Sequence, residues 1–523
     1  MAQICVSNLT FCYEGSFDNI FEDVSFVIDT DWKLGFIGRN GKGKTTFLNI
    51  LSGKYHYQGN ISTSTVFDYF PYQITQQQKE QCASEFLAEL KPGCEEWRVI
   101  YELDKLQTSA EILYRPFGTL SFGEQTKVML AVLFAGDNDF LLIDEPTNHL
   151  DHEARQIVKK YLADKKGFIL VSHDRDLLDA CIDHVLVLNR KSIEIQSGNF
   201  SSWWENKMRK DTFLQMENEK HLRQIGQLKR AAEQSARWAQ QNENTKIGYD
   251  PKKEPDRDIS TRAYIGAKTK KMQSRVKSYE KRMQREIEEK EGLLVDIENP
   301  VDLKLYPDKY HKDVLVSAKD YTFTYTDAKE AVIDHLDFEL CRGERIFLKG
   351  SNGCGKSTLI KNILSHIKGE SPSNGKEEGL LKTGSGLTVS YINQDTGFLK
   401  GSIREFCKER ELDESLFCAL LRQLDMERVQ FEKNMEDFSE GQKKKVLIAS
   451  SLMIPAHLYI WDEPLNYIDV FTRMQIEELL LKYQPTMLLV DHDESFCEKI
   501  ATRIIDFSLD ERSFLHYNFN DIF

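Results

Sequence analysis

Two segments of this 523-residue chain carry the pattern GxxxxGK[ST], at residues 38–45 and 350–357. Their lysines, Lys44 and Lys356, are 312 residues apart. Each segment follows a short apolar run and opens a helical pattern, which is the setting of a phosphate-binding loop. Glycines let backbone N–H groups face an anion there, and the helix N-terminus favours negative charge. The sequence therefore predicts two phosphate loops on α/β folds.

Each loop is followed by an apolar strand pattern that ends in two adjacent carboxylates. The acidic pairs are Asp144–Glu145 and Asp462–Glu463, 318 residues apart. We expect the aspartates to hold Mg²⁺ and the glutamates to orient or activate the attacking water. A later apolar run in each half ends in a histidine, His173 or His492, which are 319 residues apart. These histidines stand where a sensor of a γ-phosphate would stand.

The near-constant distance between corresponding motifs indicates an internal duplication. The serines of a further repeated motif, Ser121 and Ser439, are again 318 residues apart. We predict an α/β protein with two tandem nucleotide-binding domains of the P-loop NTPase fold. The first domain is expected at residues 1–204 and the second at 312–523.

The segment between the two domains, 205–311, has a different composition. Apolar residues recur at helical spacing over 204–240 and 272–297, and a stretch rich in helix breakers separates them, so we predict an antiparallel helical hairpin with its tip near 243–266. Residues 205–290 contain 22 Lys and Arg against 14 Asp and Glu, whereas the whole chain has a net charge of −14. A basic rod between acidic domains suggests a nucleic-acid partner. A solvated coiled-coil strut is the alternative.

Bulk features indicate a cytoplasmic protein. A run of about 18 apolar residues, as a membrane span requires, is not found. The N-terminal stretch lacks the basic and apolar pattern of a signal peptide. The ten cysteines are scattered without a CxxC pair, which favours reduced thiols.

Leu120–Gln125 and Phe438–Gln442 complete the pattern. With the loops, acidic pairs and histidines, they resemble the ATP-binding cassette (ABC) ATPases, whose LSGGQ signature these segments approximate. In the second signature, Glu440 stands where that family usually has glycine. The resemblance implies Mg²⁺-dependent ATP hydrolysis at two composite sites, each joining the phosphate loop of one cassette to the signature of the other. Ser439 and Gly441 would complete the first site, and Ser121 and Gly123 the second.

The resemblance also implies roles for a tyrosine and a glutamine in each half. The tyrosines would stack on adenine, and the glutamines would lie beside the metal. The predicted catalytic residues are Glu145, Glu463, His173 and His492, and the predicted Mg²⁺ ligands are Thr45, Gln73, Asp144, Ser357, Gln394 and Asp462. The predicted ATP-binding residues are Tyr13, Gly38, Asn40, Gly41, Gly43, Lys44, Thr45, Thr46, Gln73, Ser121, Gly123, Glu124, Tyr325, Gly350, Asn352, Gly353, Gly355, Lys356, Ser357, Thr358, Gln394, Ser439, Gly441 and Gln442.

Two cassettes joined by a charged helical linker resemble the ABC-F family. The segments 31–35, 263–267 and 458–469 are most similar to its Lsa-type resistance proteins. The resemblance implies a monomer that binds the E site of the bacterial ribosome, contacts 23S rRNA and extends its linker toward P-site tRNA. It implies protection from lincosamides, streptogramin A and pleuromutilins. Two hypotheses remain for the apolar residues of the tip: they act near the peptidyl-transferase centre, or they pack the tip against its own helices. These residues are Tyr249, Ile259, Tyr264 and Ile265.

Two other functions fit parts of the pattern. A housekeeping ABC-F translation factor would have the same cassettes, and we expect it to have a shorter linker tip. A transporter ATPase subunit with duplicated cassettes needs no basic hairpin and should associate with a membrane partner.

Overall fold

A computed structural model describes residues 2–13, 19–41, 43–136, 139–148, 150–188, 193–244, 281, 282, 285, 303–326, 328, 330–351, 353–370 and 375–507. The chain forms two compact units. One contains Met1–Trp203 and Pro300–Phe523, and the other contains Trp204–Asn299.

The first cassette is an α/β fold in which nearly every apolar run becomes a buried strand. Its strands are β1 (Gln3–Phe11), β2 (Phe21–Asp29), β3 (Lys33–Ile37), β4 (Gln58–Ser62), β5 (Val66–Phe70), β6 (Asp139–Asp144), β7 (Phe168–Val171), β8 (His184–Leu188) and β9 (Ile193–Ser197). Its helices are α1 (Lys44–Leu51), α2 (Gln76–Glu80), α3 (Ala83–Leu90), α4 (Glu96–Lys105), α5 (Phe122–Phe134), α6 (His152–Ala163) and α7 (Arg175–Cys181), with short 3₁₀ turns at Ala110–Tyr114 and Phe117–Thr119.

The strands of this cassette form two sheets. The larger sheet has the order β5-β6-β7-β3-β8-β9, with parallel pairing from β5 through β8 and an antiparallel β9. The smaller sheet, β2-β1-β4, is antiparallel. Apolar side chains of the two sheets and of α1 form one core. Parallel strands have their carboxyl ends at one edge of the sheet, which is where ligands bind in such folds.

A single helix, α8 (Phe200–Asn244), follows the first cassette. It covers the predicted first arm of the hairpin and extends two residues into the predicted tip. Lys281, Arg282 and Arg285 are also helical. The rest of the predicted tip and second arm, including Tyr249, Ile259, Tyr264 and Ile265, lies outside the described residues.

The second cassette repeats the fold of the first. Its strands are β10 (Val314–Tyr325), β11 (Ile333–Cys341), β12 (Arg345–Lys349), β13 (Gly375–Thr383), β14 (Val389–Ile392), β15 (Leu458–Asp462), β16 (Met487–Val490) and β17 (Arg503–Asp506). Its helices are α9 (Lys356–Lys368), α10 (Ile403–Glu409), α11 (Glu414–Gln423), α12 (Glu440–Met453), α13 (Val470–Tyr483) and α14 (Glu494–Ile500), with 3₁₀ turns at Arg428–Glu432 and Met435–Asp437. The sheets are ordered β14-β15-β16-β12-β17 and β11-β10-β13. The predicted fold class is confirmed.

The predicted linker, 205–311, is longer than the compact unit Trp204–Asn299. Leu303 and Leu305 pack into one apolar core of the second cassette, and Tyr310 into the other. These three side chains are nearly inaccessible to solvent, so burial of apolar surface draws the chain before β10 into the cassette.

In the described part of the chain, none of the helices combines the length and apolar character needed to cross a membrane.

Candidate ATP sites

The first phosphate loop connects β3 to α1 and holds its lysine against its own backbone. Lys44 Nζ donates to the carbonyls of Gly38 at 2.6 Å and Arg39 at 3.2 Å. Gly43, the residue before the helix, has φ 106°, and a Cβ there would lie 2.6 Å from Ile20 Cγ2. Glycine is required at that position for both backbone conformation and space.

The second phosphate loop, between β12 and α9, has the same construction. Lys356 Nζ donates to the carbonyls of Gly350 and Ser351, both at 2.8 Å. Gly355 precedes the helix with φ 102°, and Gly353 also has a positive φ of 85°. Asn352, a predicted ATP ligand, lies outside the described residues.

In each half, the hydroxyl ligand predicted in the phosphate loop meets the aspartate ligand predicted at the end of the acidic strand. Thr45 Oγ1 donates to Asp144 Oδ2 at 2.9 Å, and a Ser357–Asp462 hydrogen bond is the counterpart in the second cassette. Asp462 Oδ1 is buried without a hydrogen-bond partner among the described residues. A hydroxyl beside a buried carboxylate fits Mg²⁺, which takes few protein ligands and completes its shell with water and phosphate oxygens.

Each predicted catalytic glutamate lies at a strained turn just after its strand. Glu145 has φ 50° and Glu463 has φ 48°, a left-handed conformation that is uncommon for a side-chain-bearing residue. Their backbone N–H groups donate to Val171 and Val490, each at 2.9 Å. This turn directs the carboxylate toward the histidine at the end of the neighbouring strand.

The predicted histidines contact these carboxylates in both halves. His173 Nε2 lies 3.3 Å from Glu145 Oε1, and His492 Nε2 lies 3.4 Å from Glu463 Oε1. The structure therefore brings each predicted Glu–His pair together at the carboxyl edge of its sheet.

The two glutamates differ in their electrostatic surroundings. Burial, together with the charge of Asp144, raises the pKa of Glu145 to about 8. Burial also raises the pKa of Glu463, but His492, Lys444 and Gln394 outweigh it and the net pKa is lowered. At neutral pH, Glu463 is therefore a charged carboxylate, whereas Glu145 is mostly protonated and uncharged.

The two predicted metal-binding glutamines, Gln73 and Gln394, also differ in their contacts. Gln394 Nε2 donates to Glu463 Oε2 at 2.8 Å, and Asn466 Nδ2 donates to the same oxygen at 2.7 Å. Gln73 is exposed in the loop after β5. Gln394 therefore contacts the predicted catalytic glutamate of the second cassette, and the metal contact predicted for Gln73 and Gln394 stays a prediction.

The predicted adenine-binding tyrosines are anchored by the threonines that follow the phosphate loops. Tyr13 Oη lies 2.7 Å from Thr46 Oγ1, and Tyr325 Oη lies 2.8 Å from Thr358 Oγ1. The rings are 42% and 36% exposed, which leaves aromatic surface for a base to stack on.

Each signature serine caps the helix that it begins. Ser121 and Glu124 form a reciprocal capping box on α5, as Ser439 and Gln442 do on α12. Glu124 and Gln442 are thus used within their own helix. Glu440 accepts hydrogen bonds from Thr396 and Lys443, which hold its carboxylate within the second cassette.

The first composite site is assembled from both cassettes. Asn40 Nδ2 donates to the carbonyl of Tyr467 at 2.8 Å. A Cβ on Gly441 would lie 2.5 Å from that carbonyl and 3.3 Å from Asn40 Nδ2. A cavity of about 380 Å³ lies between the two cassettes here. The predicted site residues that line it are Asn40, Gly41, Glu145, His173, Ser439, Gly441 and Gln442.

On the side of the second site, the described contacts between cassettes involve α6. Arg155 Nη1 donates to the carbonyl of His492 at 3.4 Å, and Gln156 Nε2 donates to Glu494 Oε2 at 2.7 Å. The approach of Ser121 and Gly123 to Lys356 stays a prediction.

A buried charged group on the second cassette was missed by the sequence analysis. Lys445 Nζ lies 3.1 Å from Asp469 Oδ2, with side chains 2% and 0% exposed, and Lys445 lines the cavity of the first site. Arg473 lies 2.9 Å from Asp493. The duplication offers a signal, because Lys127, Asp151 and Arg155 precede Lys445, Asp469 and Arg473 by the same 318 positions as the signature serines.

Two phosphate loops, two acidic pairs and a signature facing the opposite loop define a two-site P-loop ATPase. A profile of the ABC transporter family matches residues 21–148 and 333–466, about half of the chain. The chain belongs to this family and is an enzyme that binds and hydrolyses ATP.

Relatives that match over nearly the whole chain indicate a subfamily. The ribosome protection protein VmlR of Bacillus subtilis is 27% identical over 93% of this chain and 84% of its own. The energy-dependent translational throttle protein EttA of Haemophilus influenzae is 24% identical over 96% of this chain and 92% of its own. Both are ABC-F proteins, so the predicted resemblance to that family is confirmed. The narrower Lsa-type resemblance stays a prediction.

Solved structures support the fold. The archaeal ribosome recycling factor aABCE1, in complex with the ribosomal stalk protein aP1, aligns with a TM-score of 0.56 at 18% identity, covering 96% of this chain and 87% of that chain.

Replacing both glutamates, Glu145→Gln with Glu463→Gln, should abolish ATP turnover and preserve ATP binding. The lysines and the hydroxyl–aspartate pairs remain, while the carboxylates that orient water are lost. Turnover is measured by phosphate release and binding with a fluorescent ATP analogue. Unchanged turnover in the double variant would remove both glutamates from the chemistry.

The single variants should differ in pH dependence. With Glu463→Gln, only the first site is intact, and kcat/KM should rise as pH increases through about 8, where Glu145 loses its proton. With Glu145→Gln, the second site remains, and its lowered pKa predicts no such rise. Steady-state assays from about pH 6.5 to 9 make the comparison. Superimposable profiles would contradict the difference between the two glutamates.

Proposed function

We propose that this protein uses ATP to bind the bacterial ribosome at its E site and protects it from antibiotics that act at the peptidyl-transferase centre. The carrying observation is the first composite site, where Asn40 and Gly441 meet at the Tyr467 carbonyl. An ATPase whose site joins both halves of one chain can couple nucleotide state to the segment between them.

The chemistry follows from the placement of the side chains. Lys44 and Lys356 bind the β- and γ-phosphates, exchanging loop carbonyls for phosphate oxygens. Thr45 with Asp144, and Ser357 with Asp462, would hold Mg²⁺, which supplies charge neutralisation of the phosphates when bound. The glutamates orient the attacking water, and the histidines contact the γ-phosphate.

Closure depends on the signature helices. The N-terminus of α12, at Ser439, directs backbone N–H groups toward the anion held by the first phosphate loop. The γ-phosphate then stabilises the closed pair of cassettes, and its release removes that stabilisation. ATP hydrolysis therefore acts as a two-state switch.

The intervening helix supplies the contact with RNA. Lys210, Lys220 and Arg230 are exposed on α8, within a region that carries a net positive charge in an acidic chain. Such a rod suits ribosomal RNA and P-site tRNA, whose phosphates attract Lys and Arg. The relative named a ribosome protection protein supports antibiotic protection, with lincosamides, streptogramin A and pleuromutilins as the expected drugs. This function places the protein in the cytoplasm.

A housekeeping role in translation is the second candidate, supported by similarity to the translational throttle protein EttA. Minimum inhibitory concentrations of the three drug classes in a susceptible bacterium separate the two functions. Raised concentrations support protection, whereas unchanged concentrations with normal ribosome binding favour a housekeeping factor.

Reversing charge on the linker should weaken ribosome binding and flatten its salt dependence. The variant Lys210→Glu with Lys220→Glu and Arg230→Glu removes phosphate contacts, each of which contributes about 0.7 to 0.9 to the slope of log affinity against log salt. Ribosome cosedimentation at several salt concentrations measures the slope, and ATPase activity without ribosomes should be retained.

The matched control reverses three exposed cations of the second cassette, Lys382, Lys400 and Lys433. It has the same change in net charge and should keep a slope close to that of the parent protein. Equal slopes in the linker variant and the parent would show that the rod is a strut.

Shortening the linker tip should separate drug protection from ATPase activity. Replacing residues 248–258 by a Gly-Ser bridge should abolish drug protection and preserve ATP turnover and ribosome binding, because the residues predicted for hydrolysis all belong to the cassettes and none lies within the replaced segment. Inhibitory concentrations and cosedimentation are measured together. Full protection by the shortened protein would exclude the tip as effector.

A further inference from the structure

A buried ion pair joins the cassettes two residues after the predicted catalytic His173. Arg175, the first residue of α7, donates through Nη1 to Glu477 Oε2 of α13 at 3.1 Å, and its Nη2 pairs with Glu477 Oε1. Each side chain is only 6% exposed. In a buried bidentate pair of an arginine and a carboxylate, removal of either partner leaves the other charge buried and unpaired, which is strongly destabilising.

The duplication places opposite charges at the corresponding positions of the other half. Glu494 begins α14, as Arg175 begins α7, and each follows its His–Asp motif directly. Lys159 lies on α6 where Glu477 lies on α13, since each follows its helix-capping aspartate, Asp151 or Asp469, at the same distance. At each of these two positions, the charge in one half is therefore opposite to the charge in the other half.

Glu494, the counterpart of Arg175, also contacts the opposite cassette. Glu494 Oε2 accepts a hydrogen bond from Gln156 Nε2 at 2.7 Å, and Glu494 Oε1 lies 3.1 Å from His152 Nε2. Both partners belong to α6 of the first cassette. Glu494 thus faces the helix that carries Lys159, as Arg175 faces the helix that carries Glu477.

Pairing of two like cassettes would bring like charges together. Two second cassettes in this arrangement would place Glu494 opposite Glu477 twice, and two first cassettes would place Arg175 opposite Lys159 twice. Like charges that face each other across an interface are unfavourable, most of all at a position as buried as that of Arg175 and Glu477. Discrimination between partners commonly uses such repulsion as well as attraction.

We propose that Arg175–Glu477 and the reversed position at Glu494 determine which cassettes pair. The first cassette pairs with the second cassette of the same chain, and like cassettes of two chains are excluded. A cytoplasm that holds many copies of the protein then contains ATPases closed within single chains. This role is independent of what the protein binds.

A charge swap tests the attractive half of the proposal. Arg175→Glu should lower ATPase activity at least tenfold, because the introduced carboxylate would face that of Glu477 and the cassettes could not complete their sites. Adding Glu477→Arg should recover at least fivefold of that loss. The matched control is Lys376→Glu, which breaks the exposed 2.7 Å pair with Glu378 within one cassette and should leave activity unchanged.

Thermal unfolding by circular dichroism accompanies each ATPase assay. A folded Arg175→Glu protein with parental activity, or a swapped protein no more active than the single variant, overturns the pairing role. If the single variant does not fold, recovery of folding and activity in the swapped protein supports the role, and failure of the swapped protein overturns it.

The repulsive half is tested by oligomeric state. Arg175→Glu with Glu494→Lys disfavours pairing within a chain and makes like cassettes complementary. The new carboxylate on α7 would then face Lys159, and the new ammonium group on α14 would face Glu477. Size exclusion with light scattering should show dimers or larger assemblies, whereas the parent protein and Lys376→Glu remain single chains. A variant that stays monomeric at all concentrations overturns the exclusion of like pairs.

Discussion

The first candidate ATP site combines residues of both cassettes, and that site depends on the contact that joins the halves. The phosphate loop of the first cassette donates from Asn40 to a carbonyl of the second. Gly441 packs against that carbonyl so closely that a larger residue would be excluded. The N-terminus of the signature helix therefore approaches a bound phosphate only when the cassettes are joined, because its anion-binding N–H groups belong to the opposite half.

The two halves keep the same motifs and place them in different surroundings. Glu463 receives hydrogen bonds from Gln394 and Asn466, and these donors stabilise its carboxylate. Glu145 is buried beside the charge of Asp144, so its charged form is disfavoured. A duplicated sequence thus gives two glutamates whose proton affinities differ, since pKa depends on how the surrounding groups are arranged in each half.

Charge is also distributed unevenly along the chain. The predicted hairpin region is basic, whereas the remainder is acidic enough to give the whole chain a net charge of −14. Within the acidic part, the interface between cassettes holds buried cations, where Arg175, Lys445 and Arg473 each meet a carboxylate. We propose that the exposed charge selects the partner and that the buried charge pairs the halves.

The sequence by itself determined the fold, the repeat and the residues of each motif. A phosphate loop needs glycine, lysine and a hydroxyl at fixed spacing, so Lys44, Asp144 and their counterparts could be identified from local pattern and offset. The tertiary structure alone decided which groups meet across the cassettes. Tyr467, Lys445 and Asp469 reach the first site although they are hundreds of residues from Lys44, because contacts between distant segments depend on docking geometry that no local pattern records. The pKa difference between Glu145 and Glu463 has the same origin, since the neighbouring charges and hydrogen-bond donors that set each pKa are brought together only in the assembled fold.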